Sequence, residues 1–325
     1  MHRIAHCSFV AFLTLLMQLP FPPSVNGQLL QRNRGVEKSI VVDDRTRTFI
    51  VFSPKQQTKA PRPLVFVLHG GGSGTARQLE RFTKFNDVAE REGFISCYPE
   101  GYDGNWNDGR GVDFIKAHSE NVDDVKFLRS VVDQISQDHQ VDRSRVFATG
   151  ISNGGFMSHR LAAEASDVFA AVAPVVGGMA IPIGENFKPE YPVSLFVIQG
   201  EDDPLIPYAG GEVGYRLGRK RGRFLPTTTA IGKYLERNNV QDQPTTKRLP
   251  DTDPDDGTTT EVKIWPDGND GSKVQLYSIT NGGHTWPGRP LYAPERLIGK
   301  VSNDFDACEE IWKFFRICPP RKLTR

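Results

Sequence analysis

Two patterns of apolar residues organise the chain. Runs of consecutive apolar, often β-branched residues predict strands that are buried on both faces, namely PLVFVL, FISCYP, RVFATG, FAAVAPVVG and VSLFVIQG. Between these runs, apolar residues at helical spacing predict amphipathic helices over residues 75–91, over residues 121–138 and in GGFMSHRLAAEA. Because strand and helix alternate from residue 64 to 200, the expected fold class is α/β, with a doubly wound, mostly parallel sheet and helices on both faces.

The flanking segments predict smaller units. Residues 38–52 alternate between apolar and polar around an Asp-Asp-Arg turn, which predicts an opening β-hairpin. Later in the chain, EVKIWPDGNDGSKVQLYSI predicts a second hairpin, while PTTTAIGKYLERNN and NDFDACEEIWKFFRI predict helices. No linker-like segment divides the chain, so residues 28–325 are expected to form one domain.

The first 27 residues have the layout of a secretory signal peptide. A basic start precedes an apolar run of about 13 residues, and small residues follow as far as Gly27. The apolar run is short for a membrane span, which needs roughly 20 residues. An uncleaved anchor is the alternative. We expect cleavage after Gly27, and therefore a secreted protein, extracellular or periplasmic, without a membrane association.

The charge and cysteine content of residues 28–325 exclude several classes of protein. The 40 Lys and Arg residues less Arg3 balance the 39 Asp and Glu residues, so the net charge is zero. A balanced chain lacks the basic surface of a nucleic-acid-binding protein, and no nucleic-acid partner is expected. Cys97, Cys308 and Cys318 are an odd number, so at least one free thiol is expected, and none has the spacing of a metal or redox site. No metal and no cofactor are predicted.

The segment Gly150-Ile151-Ser152-Asn153-Gly154 matches the G-x-S-x-G nucleophile elbow. This motif places a serine on a strained turn between a strand and a helix, where the glycines avoid clashes. Here the segment lies between the predicted strand RVFATG and the predicted helix, which is the context that the motif requires. Ser152 is therefore the candidate nucleophile; a plain glycine-rich turn is the alternative.

A second glycine-rich segment is a candidate oxyanion hole. His69-Gly70-Gly71-Gly72 follows the strand PLVFVL, where a backbone donor is expected to complement the N–H of Asn153. Gly71 and Gly72 are the candidate donors, because glycines let the backbone approach a substrate oxygen closely. A phosphate-binding loop is the alternative, but neither G-K-[ST] nor GxGxxG is present.

Candidates for the acid and the base follow the serine in the chain. The strand VSLFVIQG leads into Glu201, Asp202 and Asp203, any of which could be the acid, and Asp203 directly precedes Pro204. His284, in NGGHTWPG, is the candidate base, because its flanking glycines suit an exposed loop and because it completes the order Ser, Asp, His. A structural histidine at this position is the alternative.

Taken together, the chain resembles the polyhydroxybutyrate-depolymerase-like and feruloyl-esterase branch of carbohydrate esterase family 1, in the α/β-hydrolase superfamily. The resembling blocks cover roughly residues 40–316: LVFVLHGGGSG, GFISCYPEG, NWND, VDDVKFL, RVFATGISNGGFMSHRLA, GEDDPLIPY, GGHTWPG and DACEEIWKFF. The resemblance implies an α/β-hydrolase fold and assigns the acid to Asp203. Gln199 and Glu201 replace the histidine and threonine that are usual in the family, which leaves the electrostatics around Asp203 open.

The resemblance also implies that Trp106 and Trp286 line a substrate cleft, although packing in the core or rim is an equal alternative. The function expected is a serine carboxylic-ester hydrolase that forms an acyl-enzyme. Feruloyl or acetyl esters of polysaccharides and short polyester oligomers are both open as substrates. A non-catalytic binding protein on the same scaffold and a serine peptidase are the alternative functions. The basic segment GRKRGR, residues 218–223, either binds an anionic polymer or is a solvated loop.

Overall fold

The computed structural model describes residues 33–322 except residues 57, 73, 216 and 217. The predicted signal peptide, residues 1–27, lies outside the described residues. The described elements belong to one compact unit, residues 34–325. No helix among the described residues has the length and apolar character to cross a membrane.

The strands form a ten-stranded sheet and a separate two-stranded ribbon. The sheet consists of β1 (Val36–Val42), β2 (Arg45–Phe52), β3 (Arg62–Leu68), β4 (Ile95–Pro99), β5 (Val141–Ile151), β6 (Phe169–Val175), β7 (Ser194–Gly200), β10 (Thr245–Arg248), β11 (Thr259–Ile264) and β12 (Val274–Thr280). The ribbon consists of β8 (Gly211–Glu212) and β9 (Arg223–Phe224), which are antiparallel.

The helices lie between these strands. They are α1 (Ala76–Thr83), α2 (Phe85–Glu92), α3 (Lys116–Ser119), α4 (Asp124–Asp138), α5 (Asn153–Glu164), α6 (Ile181–Glu185), α7 (Thr227–Arg237), α8 (Glu295–Ile298) and α9 (Ala307–Ile317). Two short 3₁₀ turns lie at Pro254–Asp256 and Asn269–Gly271.

The sheet is parallel in its centre and antiparallel at both edges, which confirms the predicted α/β class. Its strand order is β1-β2-β4-β3-β5-β6-β7-β12-β11-β10. The pairs from β4 to β12 are parallel, whereas β2 pairs antiparallel with β4, and β11 with β12. The hairpin β1–β2 forms as predicted, with Asp43 and Asp44 at positive φ in its turn.

Helices cover both faces of the sheet because the central strands are apolar on both sides. Along β3, Leu64, Phe66 and Leu68 point into one buried cluster, which includes apolar residues of α4, α5 and α7. Val65 and Val67 point into the other, which includes residues of α1, α2 and α9. This alternation is the reason that the strand sequence reads as one continuous apolar run.

The helix predicted over residues 75–91 is wrong in one respect: it is two helices, broken at Lys84, which has a left-handed φ of 55°. At the break, the carbonyl of Thr83 accepts hydrogen bonds from the Arg289 side chain and the Cys308 thiol. Tertiary partners thus occupy a carbonyl that a continuous helix would satisfy itself.

The late hairpin joins the main sheet. Its strand β12 pairs parallel with β7, and β11 pairs with β10 on the outside. This parallel pairing puts the loop after β12 at the same sheet edge as the loop after β7. The three cysteines of the described chain, Cys97, Cys308 and Cys318, are buried and have free thiols.

Candidate active site

Four loops meet at the carboxyl edge of the parallel strands. They follow β3, β5, β7 and β12 and carry His69–Gly72, Ser152, Asp203 and His284 respectively. In an open α/β sheet, residues at this edge lie in the crevice where ligands bind. The four segments that the sequence singled out therefore belong to one region.

Ser152 occupies a strained turn between β5 and α5. Its backbone has φ 57° and ψ −118°, an arrangement that a non-glycine residue rarely adopts. The turn is possible because its neighbours lack side chains: a Cβ on Gly154 would lie 2.2 Å from the Leu68 carbonyl oxygen, and one on Gly150 would lie 2.7 Å from the same atom. The geometry is that of a nucleophile elbow.

Asp203 and His284 form a buried, charge-assisted pair. The distance between His284 Nδ1 and Asp203 Oδ2 is 2.7 Å, and the two residues are 3% and 4% exposed. Since the carboxylate can only accept, Nδ1 carries the proton and Nε2 is left as the basic nitrogen. The other oxygen, Oδ1, accepts from the backbone N–H groups of Leu205 and Ile206, each at 2.8 Å. The imidazole is thereby held in the tautomer that a general base needs.

The structure separates the three acidic residues after β7. Asp202 is exposed, and Glu201 accepts hydrogen bonds from the hydroxyls of Ser278 and Thr280 on β12. Glu201 thus binds the neighbouring strand. Gln199 donates to the Ile206 carbonyl at 3.0 Å and lies 3.4 Å from Asp203 Oδ2, a weak contact. Neither replacement of the usual family residues displaces the Asp203–His284 pair.

The His284 loop is tightly packed, which corrects the expected exposed loop. A Cβ on Gly283 would lie 2.1 Å from the Ile298 carbonyl oxygen. That oxygen accepts from the His284 N–H, and the Gly283 N–H donates to the Lys300 carbonyl. The hydroxyl of Tyr292 donates to the His284 carbonyl at 2.7 Å. The glycines are required for close backbone contact, and the hydrogen bond from Tyr292 to the His284 backbone is one that the sequence did not reveal.

The two candidate donors of the glycine-rich loop after β3 differ in whether their backbone N–H groups already have partners. The N–H of Gly72 already donates to the Gly104 carbonyl at 3.0 Å and to Asn105 Oδ1 at 3.1 Å. Within the described part of the chain, no group accepts from the N–H of Gly71 or from that of Asn153. A Cβ on Gly71 would lie 3.2 Å from the Cβ of Asn153, so the two residues are adjacent. This favours Gly71 over Gly72 as the partner of Asn153.

A buried polar network beneath these donors was missed by the sequence reasoning. Asn153 Oδ1 accepts from the Trp106 backbone N–H at 2.8 Å, and its Nδ2 donates to Asp108 Oδ2. The same Asp108 oxygen accepts from Arg110 Nη2 at 2.6 Å, and His118 Nε2 lies 3.5 Å from Asp108 Oδ1. The network joins the first residue of α5 to the NWND segment. That segment was noticed only as part of the resemblance.

His69 fixes the same loop from the other side. Its Nδ1 lies 2.8 Å from the Gly70 carbonyl oxygen, and its Nε2 accepts from the Gly101 N–H at 2.8 Å. These partners define a neutral ring with the proton on Nδ1. Burial lowers the pKa of His69 to about 4, which agrees with that state.

Both motif tryptophans are buried. Trp106 is 0% exposed and donates its indole N–H to the His69 carbonyl at 2.9 Å. Trp286 is 1% exposed and belongs to the core on the α9 side of the sheet. Burial favours packing over substrate contact for both rings. Among the described residues, no cluster of three or more His, Cys, Asp or Glu side chains is arranged to hold a metal.

Two exposed tyrosines lie near the Asp203–His284 pair instead. Tyr215 and Tyr292 are 42% and 41% exposed. Partial burial and the negative charge of Asp203 raise the pKa of each. Tyr292 also contacts Phe82 edge-to-face, with ring centroids 6.0 Å apart. These rings are accessible aromatic surface close to the candidate catalytic groups.

Comparison with known proteins identifies the family. Residues 48–187 match the family described as esterase PHB depolymerase. NocK of Nocardia uniformis subsp. tsuyamanensis is 31% identical to this chain over 279 residues, which cover 84% of this chain and 80% of NocK. NocK is provisionally named an esterase. The chain belongs to the PHB depolymerase esterase family. It is accordingly a carboxylic ester hydrolase.

More distant proteins agree with the fold and family. Feruloyl esterase B of Piromyces equi is 27% identical over 217 residues, covering 65% of this chain but only 37% of that enzyme. The solved structure of an acetyl xylan esterase from Aspergillus awamori matches with a TM-score of 0.57 and 18% identity, covering 77% of this chain and 94% of the other. The fold of this PHB depolymerase family member is therefore that of the α/β-hydrolases.

Proposed function

We propose that this chain is a secreted serine esterase that acts through an acyl-enzyme, with Ser152 as nucleophile, His284 as base and Asp203 as the orienting acid. The observation that carries the proposal is the buried 2.7 Å contact between His284 Nδ1 and Asp203 Oδ2. It lies at the sheet edge where Ser152 occupies its strained turn. This combination is the one that acyl transfer by a serine requires.

In the proposed first step, the Ser152 hydroxyl attacks the ester carbonyl while His284 Nε2 takes its proton. Asp203 stabilises the imidazolium that forms, and His284 then protonates the leaving alcohol. The backbone N–H groups of Gly71 and Asn153 bind the tetrahedral oxygen, each contributing about 3 kcal/mol by analogy with known oxyanion holes. In the second step, His284 activates a water that releases the acid and regenerates Ser152.

Turnover of p-nitrophenyl acetate and butyrate tests the mechanism. We expect wild-type activity that is lost in Ser152→Ala and kept in Ser130→Ala, a control on the exposed face of α4. Where deacylation is slower than acylation, the acyl-enzyme also gives an initial burst and a mass increase equal to the acyl group. Equal rates for wild type and Ser152→Ala would remove the catalytic role of Ser152. If wild type hydrolyses no ester, a non-catalytic binding protein is favoured. If it cleaves amides but no esters, a peptidase is favoured.

Feruloyl or acetyl esters of polysaccharides and short polyester oligomers both remain candidate substrates. The relative named feruloyl esterase B supports the first, and the description of the family supports the second. Methyl ferulate, acetylated xylan and a hydroxybutyrate oligomer should be compared on one preparation. We expect kcat/KM to be higher for methyl ferulate or acetylated xylan, which represent the polysaccharide esters, than for the hydroxybutyrate oligomer.

Secretion is a separate part of the proposal. It rests on the signal-like composition of residues 1–27. Expression of the full chain in a secretory host should release protein whose intact mass corresponds to a start at Gln28. A product that retains residues 1–27 and is found in the membrane fraction would contradict secretion.

A further inference from the structure

The basic loop, residues 218–223, carries four cationic side chains and no acidic one: Arg219, Lys220, Arg221 and Arg223. The loop lies between the two strands of the small ribbon β8–β9, and its last residue, Arg223, is the first residue of β9. It was left open above whether this segment is merely solvated. Its contacts show which part of the molecule it faces.

The loop is attached to the segment that supports the candidate oxyanion hole. Arg110, whose guanidinium is neutralised by Asp108, donates through Nη1 to the Arg221 carbonyl at 2.9 Å. The guanidinium of Arg219 lies over the Phe114 ring, 3.5 Å from its centroid. The backbones of Val213 and Arg221 also pair at 3.0 Å. The basic loop therefore has a defined position against residues 108–114.

The Arg221 side chain points to the glycine-rich loop. Its Nη1 lies 4.0 Å from the position that a Cβ on Gly72 would occupy, directly beside the candidate donor Gly71. Among the described residues, no acceptor binds this guanidinium. Partial burial, followed by the positive charges of Arg110 and Arg219, lowers the pKa of Arg221. The guanidinium remains charged at neutral pH.

We propose that Arg221 binds a carboxylate on the substrate beside the scissile ester, so that the enzyme acts on esters of acidic, uronate-bearing saccharides. The inference rests on the proposed esterase function and deepens it. A guanidinium is the side chain best suited to bind a carboxylate, through two parallel hydrogen bonds. A hydroxybutyrate oligomer carries a carboxylate only at its end, whereas a uronate branch places a carboxylate beside an ester within the saccharide chain.

The kinetic test compares two acetylated xylo-oligosaccharides that differ only in one glucuronic acid branch. For wild type, we expect a higher kcat/KM for the branched, acidic substrate. Arg221→Gln should lower kcat/KM for that substrate by about ten- to one-hundred-fold, the effect of losing charge-assisted hydrogen bonds to the carboxylate, and should leave kcat/KM for the neutral substrate within about two-fold. Arg221→Lys should restore part of the loss. Added salt should reduce the wild-type preference.

The control is Arg248→Gln, which removes one exposed positive charge from the outer strand β10. It should behave as wild type on both substrates. If Arg221→Gln lowers the two rates equally, the residue supports the loop structurally and the proposal is wrong. If it lowers neither, or if wild type shows no preference for the acidic substrate, the carboxylate is not bound there.

A binding measurement separates this proposal from the catalytic one. Calorimetry on Ser152→Ala, with and without Arg221→Gln, should show tighter binding of the glucuronic-acid-bearing oligosaccharide than of the neutral one, and only when Arg221 is present. That result would stand even if the wild-type protein hydrolysed no ester. Equal binding of both saccharides would overturn the Arg221 assignment while leaving the Ser152 mechanism unaffected.

Discussion

At the scale of single residues, the partners of Asp203 determine what its replacement would do. In Asp203→Asn, the amide oxygen still accepts from the Leu205 and Ile206 N–H groups, which places the NH₂ group toward His284. Nδ1 of His284 must then accept, the proton moves to Nε2, and the base is lost. We expect kcat for p-nitrophenyl acetate to fall by about 10⁴, with the fold intact.

The matched control for this change is Asp202→Asn, one residue away and exposed. It should keep the wild-type rate, because among the described residues the Asp202 carboxylate accepts no hydrogen bond, and its backbone N–H donates to the Gly282 carbonyl. Comparable losses in the two variants, measured as kcat beside a circular dichroism spectrum, would show that Asp203 is not the orienting acid.

Asn153 combines two roles that a substitution can separate. Asn153→Ala keeps the backbone N–H proposed for the oxyanion hole but removes the side chain that binds Trp106 and Asp108. We expect kcat to fall by about ten-fold with KM nearly unchanged, because the donor loses its support. The free energy of unfolding should also fall, by about 1–3 kcal/mol, because buried polar partners are left unsatisfied.

For Asn153→Ala, steady-state kinetics and urea unfolding are the measurements. A rise in KM at constant kcat would instead assign the side chain to ground-state substrate binding. Asn186→Ala, at the exposed end of α6, is a control that should leave kcat and KM unaltered. It should lower the free energy of unfolding by less than Asn153→Ala, because it removes only one exposed hydrogen bond, to the Pro182 carbonyl.

These same residues show how much of the candidate site could be predicted from the sequence. The motif pattern was enough to select Ser152 and His284, whose catalytic roles stay predictions, and the structure brings His284 to Asp203. Asp203 was selected over Asp202 by its position before Pro204 and by the family resemblance, but its burial and its contact with His284 depend on a segment about eighty residues away in the chain. The motif pattern also marked Trp106 without showing that the indole is buried and bonded to the His69 carbonyl. A motif identifies a residue by its neighbours in the chain, whereas the contacts of that residue in the fold come from segments that are distant in the chain.

At the scale of elements, substitutions at two glycines test whether close packing positions the His284 loop. In Gly283→Ala, the new Cβ would lie 2.1 Å from the Ile298 carbonyl oxygen, a backbone atom that cannot give way cheaply. We expect the loop to shift, with a loss of at least ten-fold in kcat and a lower free energy of unfolding.

Gly232→Ala is the contrasting variant. This glycine lies inside α7, and its added Cβ meets nothing within 4 Å. The change should leave kcat unaltered and raise the free energy of unfolding by up to about 1 kcal/mol, because alanine favours the helix. Differential scanning calorimetry with kinetics on both variants checks the pair. Full activity in Gly283→Ala would show that the loop tolerates a shift.

Elements with strong local patterns were predicted correctly, and those set by tertiary contacts were not. The strands β3 to β7 follow from their apolar runs, and the amphipathic helix α4 from its spacing. The break at Lys84 was not foreseen, because the partners of the Thr83 carbonyl at the break, Arg289 and Cys308, lie more than 200 residues away in the chain. Likewise, the sequence of the late hairpin gives its turn but not its parallel pairing with β7.

At the scale of the whole molecule, buried neutral histidines couple stability to pH. His69 has an ordinary pKa of 6.5 when unfolded and about 4 when folded, because burial disfavours the charged ring. The unfolded chain therefore binds a proton first as the pH falls. The stability that His69 contributes is fully present above pH 6.5, decreases between pH 6.5 and 4, and is lost below about pH 4.

Linkage gives the size of this effect. Between pH 7 and pH 5, a shift of this size lowers the free energy of unfolding by roughly 2 kcal/mol. His69→Gln should remove that part of the pH dependence, since its amide can donate to the Gly70 carbonyl and accept from the Gly101 N–H without titrating. His159, whose pKa is lowered to about 3 by burial, stays in both proteins and cancels in the comparison.

Urea unfolding of wild type and His69→Gln at pH 7 and pH 5 measures the difference directly. We expect wild type to lose more stability than the variant over this interval, although the variant is less stable at pH 7. The His69 ring holds the loop that carries Gly71 through its contacts with the Gly70 carbonyl and the Gly101 N–H. Identical pH slopes for the two proteins would mean that the His69 ring does not titrate with unfolding, and the coupling between this loop and the stability of the molecule would have to be abandoned.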